Sequence, residues 1–327
     1  MRFVLVVGTT ETATIDGISA AGADPDVMVH TPAADVEIVE YGRPVLAPVT
    51  PVSPSGCPTP AVITRAVREL LSFDLLTIES GQPSRTATPA VTVGDRPGAD
   101  VRSAESVPGA ESIFERARRL GRRLPDDELY LGESIPGGTT TALGVLTALG
   151  EPYEVSSSLS ENPMDLKRDV IATGLTASNL APGDATSEPI RAIRRMGDPV
   201  QPAVAGLAIG ALETDTDVTL AGGTQMIAAA AVIRHFGVDA PIHLATTSFV
   251  DESTPDLRRA AADLDVTLTV TDPEFDRSDH VALERYALGE AKEGVGMGGA
   301  LALASRSNVS KHKIRKRVQE TYAEVLE

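Results

Sequence analysis

Runs rich in Val, Ile and Leu recur between helical patterns along most of the chain, and that alternation is the strongest constraint on its fold. Residues 3–7, 75–78, 128–131, 218–221, 242–246 and 266–270 read as strands. Residues 58–72, 111–123, 138–149, 164–174, 203–212, 224–236 and 255–264 read as helices. Strands that alternate with helices build a mostly parallel sheet with helices on both faces. The expected fold is therefore α/β, doubly wound and Rossmann-like, with a small helical portion from the terminal segments. At roughly 150 residues per domain, the 327 residues make one large α/β domain or two unequal ones. No internal repeat or linker divides them, so a single unit is expected, with a core from about 126 to 304 on which 1–125 and 305–327 pack. Residues 80–109 turn to Pro, Gly, Ser, Thr and Asp without periodicity, and a loop that long in a compact domain is more often functional than idle. Shorter loops are expected at 153–162 and 181–188.

Composition excludes several classes. With 42% hydrophobic and 23% charged residues, the chain is neither disordered nor a disulfide scaffold. No apolar run approaches the ~18 residues of a membrane span. The N-terminus reads as a first strand rather than a signal peptide, which places the protein in the cytoplasm. The single cysteine, Cys57, reads as an ordinary small buried residue. The net charge of −17 disfavours nucleic acid as a partner. Acidity combined with five lysines against 24 arginines, and no Trp, points to a halophilic protein that stays soluble in concentrated salt. Three of those lysines fall in the run 311–317, where Ile314, Val318, Tyr322 and Val325 sit at helical spacing. That run reads as the solvated face of a helix rather than a polyanion patch.

Three glycine-rich turns carry the candidate chemistry. The first runs from Leu129 to Ala142, a strand followed by Gly132-Glu133-Ser134-Ile135-Pro136-Gly137-Gly138-Thr139-Thr140-Thr141 and then an apolar helix. Successive N–H groups ahead of a helix dipole form a cradle for phosphate, and the threonine hydroxyls add donors. No lysine follows the glycines as in a Walker loop, and the spacing of a dinucleotide fingerprint is missing, so a monophosphate is favoured. A plain strand-to-helix turn with threonine caps fits the local pattern equally well. The second turn, Gly222-Gly223-Thr224-Gln225-Met226, follows a strand and opens an Ala-rich helix. Close helix-to-sheet packing would also demand those glycines. The third, Gly289-Glu290-Ala291-Lys292-Glu293-Gly294-Val295-Gly296-Met297-Gly298-Gly299, places two carboxylates beside a glycine run. A desolvated glutamate there would have its pKa raised toward the range of a general base. The five histidines, at 30, 235, 243, 280 and 312, form no ligand-spaced pair, so no metal site is expected. No G-x-S-x-G elbow is present.

Together these turns resemble a family. Residues Gly132 to Thr140 resemble the G-E-x-x-x-G-N-T-T turn of the nicotinate-nucleotide:dimethylbenzimidazole phosphoribosyltransferases, with Gly222 to Met226 at the family's D-G-F turn and Glu293-Gly294-Val295-Gly296 at its E-G-x-G. The likeness runs from about Asp126 to Ala304 and is nearest to the archaeal branch. It departs at Gly138, where bacterial members have Asn, and at Gly223-Thr224, which replaces Gly-Phe. The bacterial D-H-G segment that helps hold the incoming base is absent from the N-terminal third, so the base is left unspecified.

The resemblance implies transfer of ribose 5-phosphate from nicotinate mononucleotide to a benzimidazole-type base, giving an α-ribazole phosphate-like nucleotide and nicotinate for cobamide (vitamin B12) lower-ligand assembly. It implies no cofactor, two small-molecule substrates and a homodimer. Glu293 would act as general base, with Glu290 as the alternative, and Glu133 would stabilise charge on the ribose. Gly132, Gly137, Gly138, Thr139, Thr140, Gly222, Gly223, Thr224, Gly294 and Gly296 would bind the nucleotide and its phosphate. Two other readings compete. One is a noncatalytic nucleotide-binding protein that retains the phosphate site; the other is a nicotinamide-dinucleotide oxidoreductase built on Gly294 to Gly299, which is weakened because a helical segment, not a strand, precedes that run.

Overall fold

A computed structural model describes residues 1–19, 25–53 and 55–326. Its first strand is β1 (Arg2–Val7), whose residues from Phe3 to Val7 are all apolar and fully buried. Side chains of a strand alternate between faces. Val4 and Val6 join one apolar layer and Phe3, Leu5 and Val7 the other, so β1 is packed on both sides. It pairs in parallel with β2 (Asp74–Ser80) on one edge and β4 (Glu128–Ser134) on the other. With β3 (Ala90–Gly94), β5 (Asp217–Ala221), β6 (Ile242–Thr247) and β7 (Val266–Thr271), the described residues form an all-parallel sheet of order β3-β2-β1-β4-β5-β6-β7. The doubly wound α/β expectation holds.

The order reverses between β1 and β4. Connections leaving those two strands diverge, which opens a crevice beyond their carboxyl ends, the usual ligand position in open α/β sheets. In register, Val6 and Val7 of β1 face Glu133 and Ser134 of β4. The first acid of the candidate site therefore sits at the switch point.

Two elements depart from expectation for identifiable reasons. β3 lies inside the stretch read as irregular. It is a short edge strand whose Ala90, Val91 and Thr92 are exposed, so no buried apolar run announces it. The helix Thr31–Tyr41 departs from expectation because residues 31–39 are buried on every side, Asp35 and Glu37 among them, so no solvent face imposes a 3.6 period. Glu37 is fully buried because its carboxylate accepts the N–H groups of Val45, Leu46, Ala47 and Ala87. Among the described residues, 1–125 supply three of the seven strands, β1 at the switch point included. They are woven into the sheet rather than laid upon it.

The C-terminal helix Lys311–Leu326 buries Ile314, Val318 and Val325 against the helix Ala61–Leu71, and Tyr322 packs at the edge of that layer. Much of its basic run is paired with acids: Lys311 and Arg315 with Glu274, and Arg317 with Glu69, Glu320 and Glu324. No helix among the described residues is long and apolar enough to cross a membrane.

Across the sheet, the helix Val200–Leu212 lies against the helix Ala110–Gly121 with backbones almost touching. A Cβ on Gly210 would stand 2.2 Å from the carbonyl oxygen of Arg118, and one on Gly206 2.4 Å from that of Phe114. Gly210→Ala forces these helices apart and is expected to lower unfolding free energy by about 1–3 kcal/mol, the usual penalty of overpacking. A denaturation midpoint equal to that of the parent would show that the helices do not meet there.

Candidate functional site

Both turns that meet at the switch point depend on close backbone approach. A Cβ on Gly132 would lie 2.7 Å from the Cα of Gly296, and Val295 N–H donates to the carbonyl of Glu133 at 2.7 Å. This contact clamps the 291–296 turn over the end of β4. The turn is conformationally tense: Ala291 and Val295 have φ of 44° and 52°, a region a β-branched residue rarely adopts. It is held by the Glu133 carbonyl and by the Thr64 hydroxyl, which donates to Val295 O at 2.8 Å. Strain retained by surrounding bonds is characteristic of functional turns.

The clamp brings Glu133 and Glu293 to one cleft of about 1000 Å³, its open mouth included. Glu293 accepts N–H bonds from Gly294 (3.1 Å) and Gly298 (2.9 Å) on Oε1 and the Thr246 hydroxyl (3.2 Å) on Oε2. Burial pushes its pKa up to about 7, with those donors opposing. Glu133 rises to about 8 through burial and then through the neighbouring charges of Asp198, Glu293 and Asp35. Glu290 does not line the cleft. It is tied to Ser53, Ser55 and Arg285, which leaves Glu293 as the acid in position.

Of the other expected residues, Gly137, Gly138, Thr139, Gly223, Thr224 and Gly294 line the cleft. Gly132, Thr140, Gly222 and Gly296 do not. Gly132 and Gly296 serve the packing contact just described, Gly222 bonds through its N–H to Ala245, and the Thr140 hydroxyl is buried without a partner among the described residues. The N–H cradle is also narrower than its sequence implies. Gly138 N–H is taken by Ile135 O and Thr140 N–H by Gly137 O, so Gly137 and Thr139 keep the uncommitted donors among the described residues.

Sequence reasoning missed three further groups. Asp35 is buried against the cleft, with carboxylate oxygens accepting the hydroxyls of Thr59 and Ser134, each at 2.6 Å. Burial raises its pKa to about 6 against those bonds. Lys292 lines the cleft and donates to the carbonyls of Ser157 (3.1 Å) and Leu159 (2.6 Å). Lys167, fully buried, donates to Ser156 O (2.6 Å) and Asn162 Oδ1 (3.0 Å). Burial lowers both lysines; Lys167 falls to about 7, helped by the positive charge of Lys292. Together they brace the Ser156–Ser158 wall from beneath, with neutral oxygens as their only hydrogen-bond partners among the described residues. A signal for them existed: outside the run 311–317, a chain of 24 arginines keeps Lys only at these two positions. The third group, Asp198 with Gln225, lies behind the Gly137–Gly138 turn. Cys57 also lines the cleft, and burial pushes its thiol up to about 12, so it stays protonated. Among the described residues no three His, Cys, Asp or Glu side chains converge as metal ligands would.

Fold and site define a doubly wound α/β protein with buried acids and lysines around one switch-point cleft. No family model matches the sequence. The chain belongs to the UPF0284 family. It is 55% identical to the UPF0284 protein of Halobacterium salinarum over 99% of this chain and 98% of that one. It is 41% identical to the member from Methanothermobacter thermautotrophicus over 99% and 93%. Among solved structures, a nicotinate-nucleotide-dimethylbenzimidazole phosphoribosyltransferase from Thermus thermophilus shares the fold, with TM-score 0.64 and 17% identity over 98% of this chain and 82% of that one.

The buried acids fix a pH response. Unfolded, these carboxyls titrate near 4; folded, they titrate at about 6, 7 and 8. Between those limits the folded state holds protons that the unfolded chain has lost, so stability falls as pH rises. Lys167 acts only above about 7 and in the opposite sense. From about pH 5 to about pH 7 the ligand-free protein should lose melting temperature. Glu293→Gln should flatten the curve by up to ~1.4 kcal/mol per pH unit, the limit for one group. Parallel curves for the two proteins would show that Glu293 is ionised throughout.

Proposed function

We propose that this protein moves ribose 5-phosphate from nicotinate mononucleotide to a benzimidazole-type base, as the resemblance in sequence and fold implies, acting as a cytoplasmic homodimer in assembly of the cobamide lower ligand. The observation that carries the reading is the meeting of Glu133 and Glu293, 160 residues apart in sequence, at a cleft that also contains a buried ammonium group and uncommitted N–H donors.

The chemistry needs little else. The departing ring nitrogen of the donor is already cationic. When its bond to C1 of the ribose breaks, the electron pair returns to that nitrogen and neutral pyridine leaves without an acid. A nitrogen lone pair of the incoming base forms the new bond at C1, and the proton on the other ring nitrogen passes to Glu293. A carboxyl with a pKa of about 7 is matched to that task near neutrality. The cationic ring of the bound donor favours the carboxylate form of Glu133, whose proton is released to solvent as the donor binds, and that carboxylate stabilises the positive charge developing on the ribose. Gly137 and Thr139 N–H groups and the Lys292 ammonium hold the phosphate, which fixes C1 against the nucleophile. Asp35, among the hydroxyls of Thr59 and Ser134, is left to face the base.

Nicotinate release from nicotinate mononucleotide, followed chromatographically in molar KCl, tests the reading. Release should require an added base such as 5,6-dimethylbenzimidazole and produce a new riboside phosphate. Glu293→Gln should bind nucleotide almost normally and turn over ~10²-fold more slowly, the size of a general-base contribution. Near-normal turnover in that variant would remove Glu293 from the mechanism. Binding without release by any base would make this a noncatalytic nucleotide-binding protein.

A further inference from the structure

Gln225 is the second residue of the helix Thr224–His235, lines the cleft and is only 5% exposed. Its amide nitrogen donates to Asp198 Oδ2 at 2.6 Å and to the carbonyl oxygen of Gly138 at 2.8 Å. A backbone carbonyl can only accept, so the Gly138 contact alone decides which end of the amide is nitrogen. Both amide hydrogens are thereby used, and no donor among the described residues reaches the amide oxygen. Asp198 is itself immobilised. Its Oδ1 accepts the N–H groups of Val200 (2.9 Å) and Gln201 (3.2 Å), and its Oδ2 also accepts the Thr141 hydroxyl. Turning the amide over would break two bonds and set oxygen against oxygen. Gln225 thus offers the cleft an acceptor and nothing else.

What the acceptor would meet follows from the ligand's chemistry. The neighbouring Gly223 abuts Glu293, where an added Cβ would stand 3.6 Å from that of the glutamate, and Asp198 acts electrostatically on Glu133. The amide therefore belongs to the neighbourhood of Glu133, assigned to the ribose, and of Glu293, assigned to the proton of the incoming base. Nicotinate mononucleotide ends in a phosphate and a ring carboxylate, both of which repel a carbonyl oxygen, and its ring has no N–H. Its ribose hydroxyls are its hydrogen-bond donors. We infer that Gln225 is a specificity-determining residue whose amide oxygen accepts a hydrogen bond from a ribose hydroxyl of the donor nucleotide, with Asp198 and Gly138 as the groups that orient it. This rests on the nucleotide reading given above. A site built this way rejects the deoxy analogue, because a buried acceptor is then left unpaired.

Binding of nicotinate mononucleotide and of its 2′-deoxy and 3′-deoxy analogues, by calorimetry on the full chain without any base present, tests the inference. The parent protein should bind one deoxy analogue about tenfold more weakly than the ribonucleotide, near the upper end for an uncharged hydrogen bond. Gln225→Met matches the length and removes the amide. It should bind the ribonucleotide more weakly by a similar factor and no longer distinguish that analogue. Each ratio is taken within one protein sample, so incomplete folding of the variant does not alter it, and the parent protein alone already tests the discrimination. Equal binding of all three nucleotides by the parent, or undiminished discrimination in the variant, would overturn the role of Gln225 while leaving the proposed function intact. A parent protein that binds no nucleotide at all would instead overturn the proposed function and this inference with it.

Discussion

Desolvation governs this molecule's chemistry. Four carboxyl groups, of Asp35, Glu133, Asp198 and Glu293, and two ammonium groups are withdrawn from water at or just behind a single cleft, without a direct ion pair among them. An isolated charge in that position is costly, and the usual escape is a shift of pKa toward neutrality. Acids rise to about 6, 7 and 8, while Lys167 falls to about 7. Near neutral pH the groups of the cleft can therefore shed much of their charge. The proposed donor, with a cationic ring and an anionic phosphate, would restore charge at both ends of such a site, because each group would regain its ionised form beside an opposite charge. The affinity of the cleft for that ligand and the protonation state of its acids are then one property.

The sheet explains why these groups meet. Reversal of strand order between β1 and β4 leaves a crevice at the carboxyl end of β4, and Glu133 is the penultimate residue of that strand. Everything else is delivered from outside. Asp35 comes from a helix on one face, and Asp198 and Gln225 from helix starts on the other. Glu293 comes from a turn that is stable only because Gly132 and Gly296 allow two backbones to touch. Those glycines were expected to bind the nucleotide. Their place in the structure gives them a geometric task that precedes binding, since without it the two glutamates would not share a cleft.

Legibility in the sequence followed the range of the interactions involved. β1 was readable because both of its faces are apolar, and the helix Gly138–Leu149 because a glycine turn precedes an apolar run. Glu133 and Glu293 were readable because each sits in its own short motif. Asp35 was not, since nothing near it in sequence distinguishes it from a surface acid. Its meaning depends on Thr59 and Ser134, 24 and 99 residues away. Lys292 falls inside a glycine-rich motif that does not reveal its role, because its partners, Ser157 and Leu159, lie over 130 residues distant. The N–H cradle was over-read for the opposite reason. Local pattern supplied the donors but could not show that Ile135 O and Gly137 O already occupy two of them.

A net charge of −17 poses a difficulty for any anionic ligand, because the field of the whole molecule opposes its approach. Screening resolves it selectively. At molar ionic strength the Debye length shrinks to ~3 Å, and surface carboxylates cease to act across the mouth of the cleft. Buried groups are screened far less. In the proposed reading, Lys292 and the uncommitted N–H donors therefore keep their attraction for a phosphate under conditions that silence the surface. In dilute salt the same surface acids would reach the cleft, and anion affinity should be weaker there than in concentrated salt, the reverse of the behaviour of a basic phosphate-binding surface.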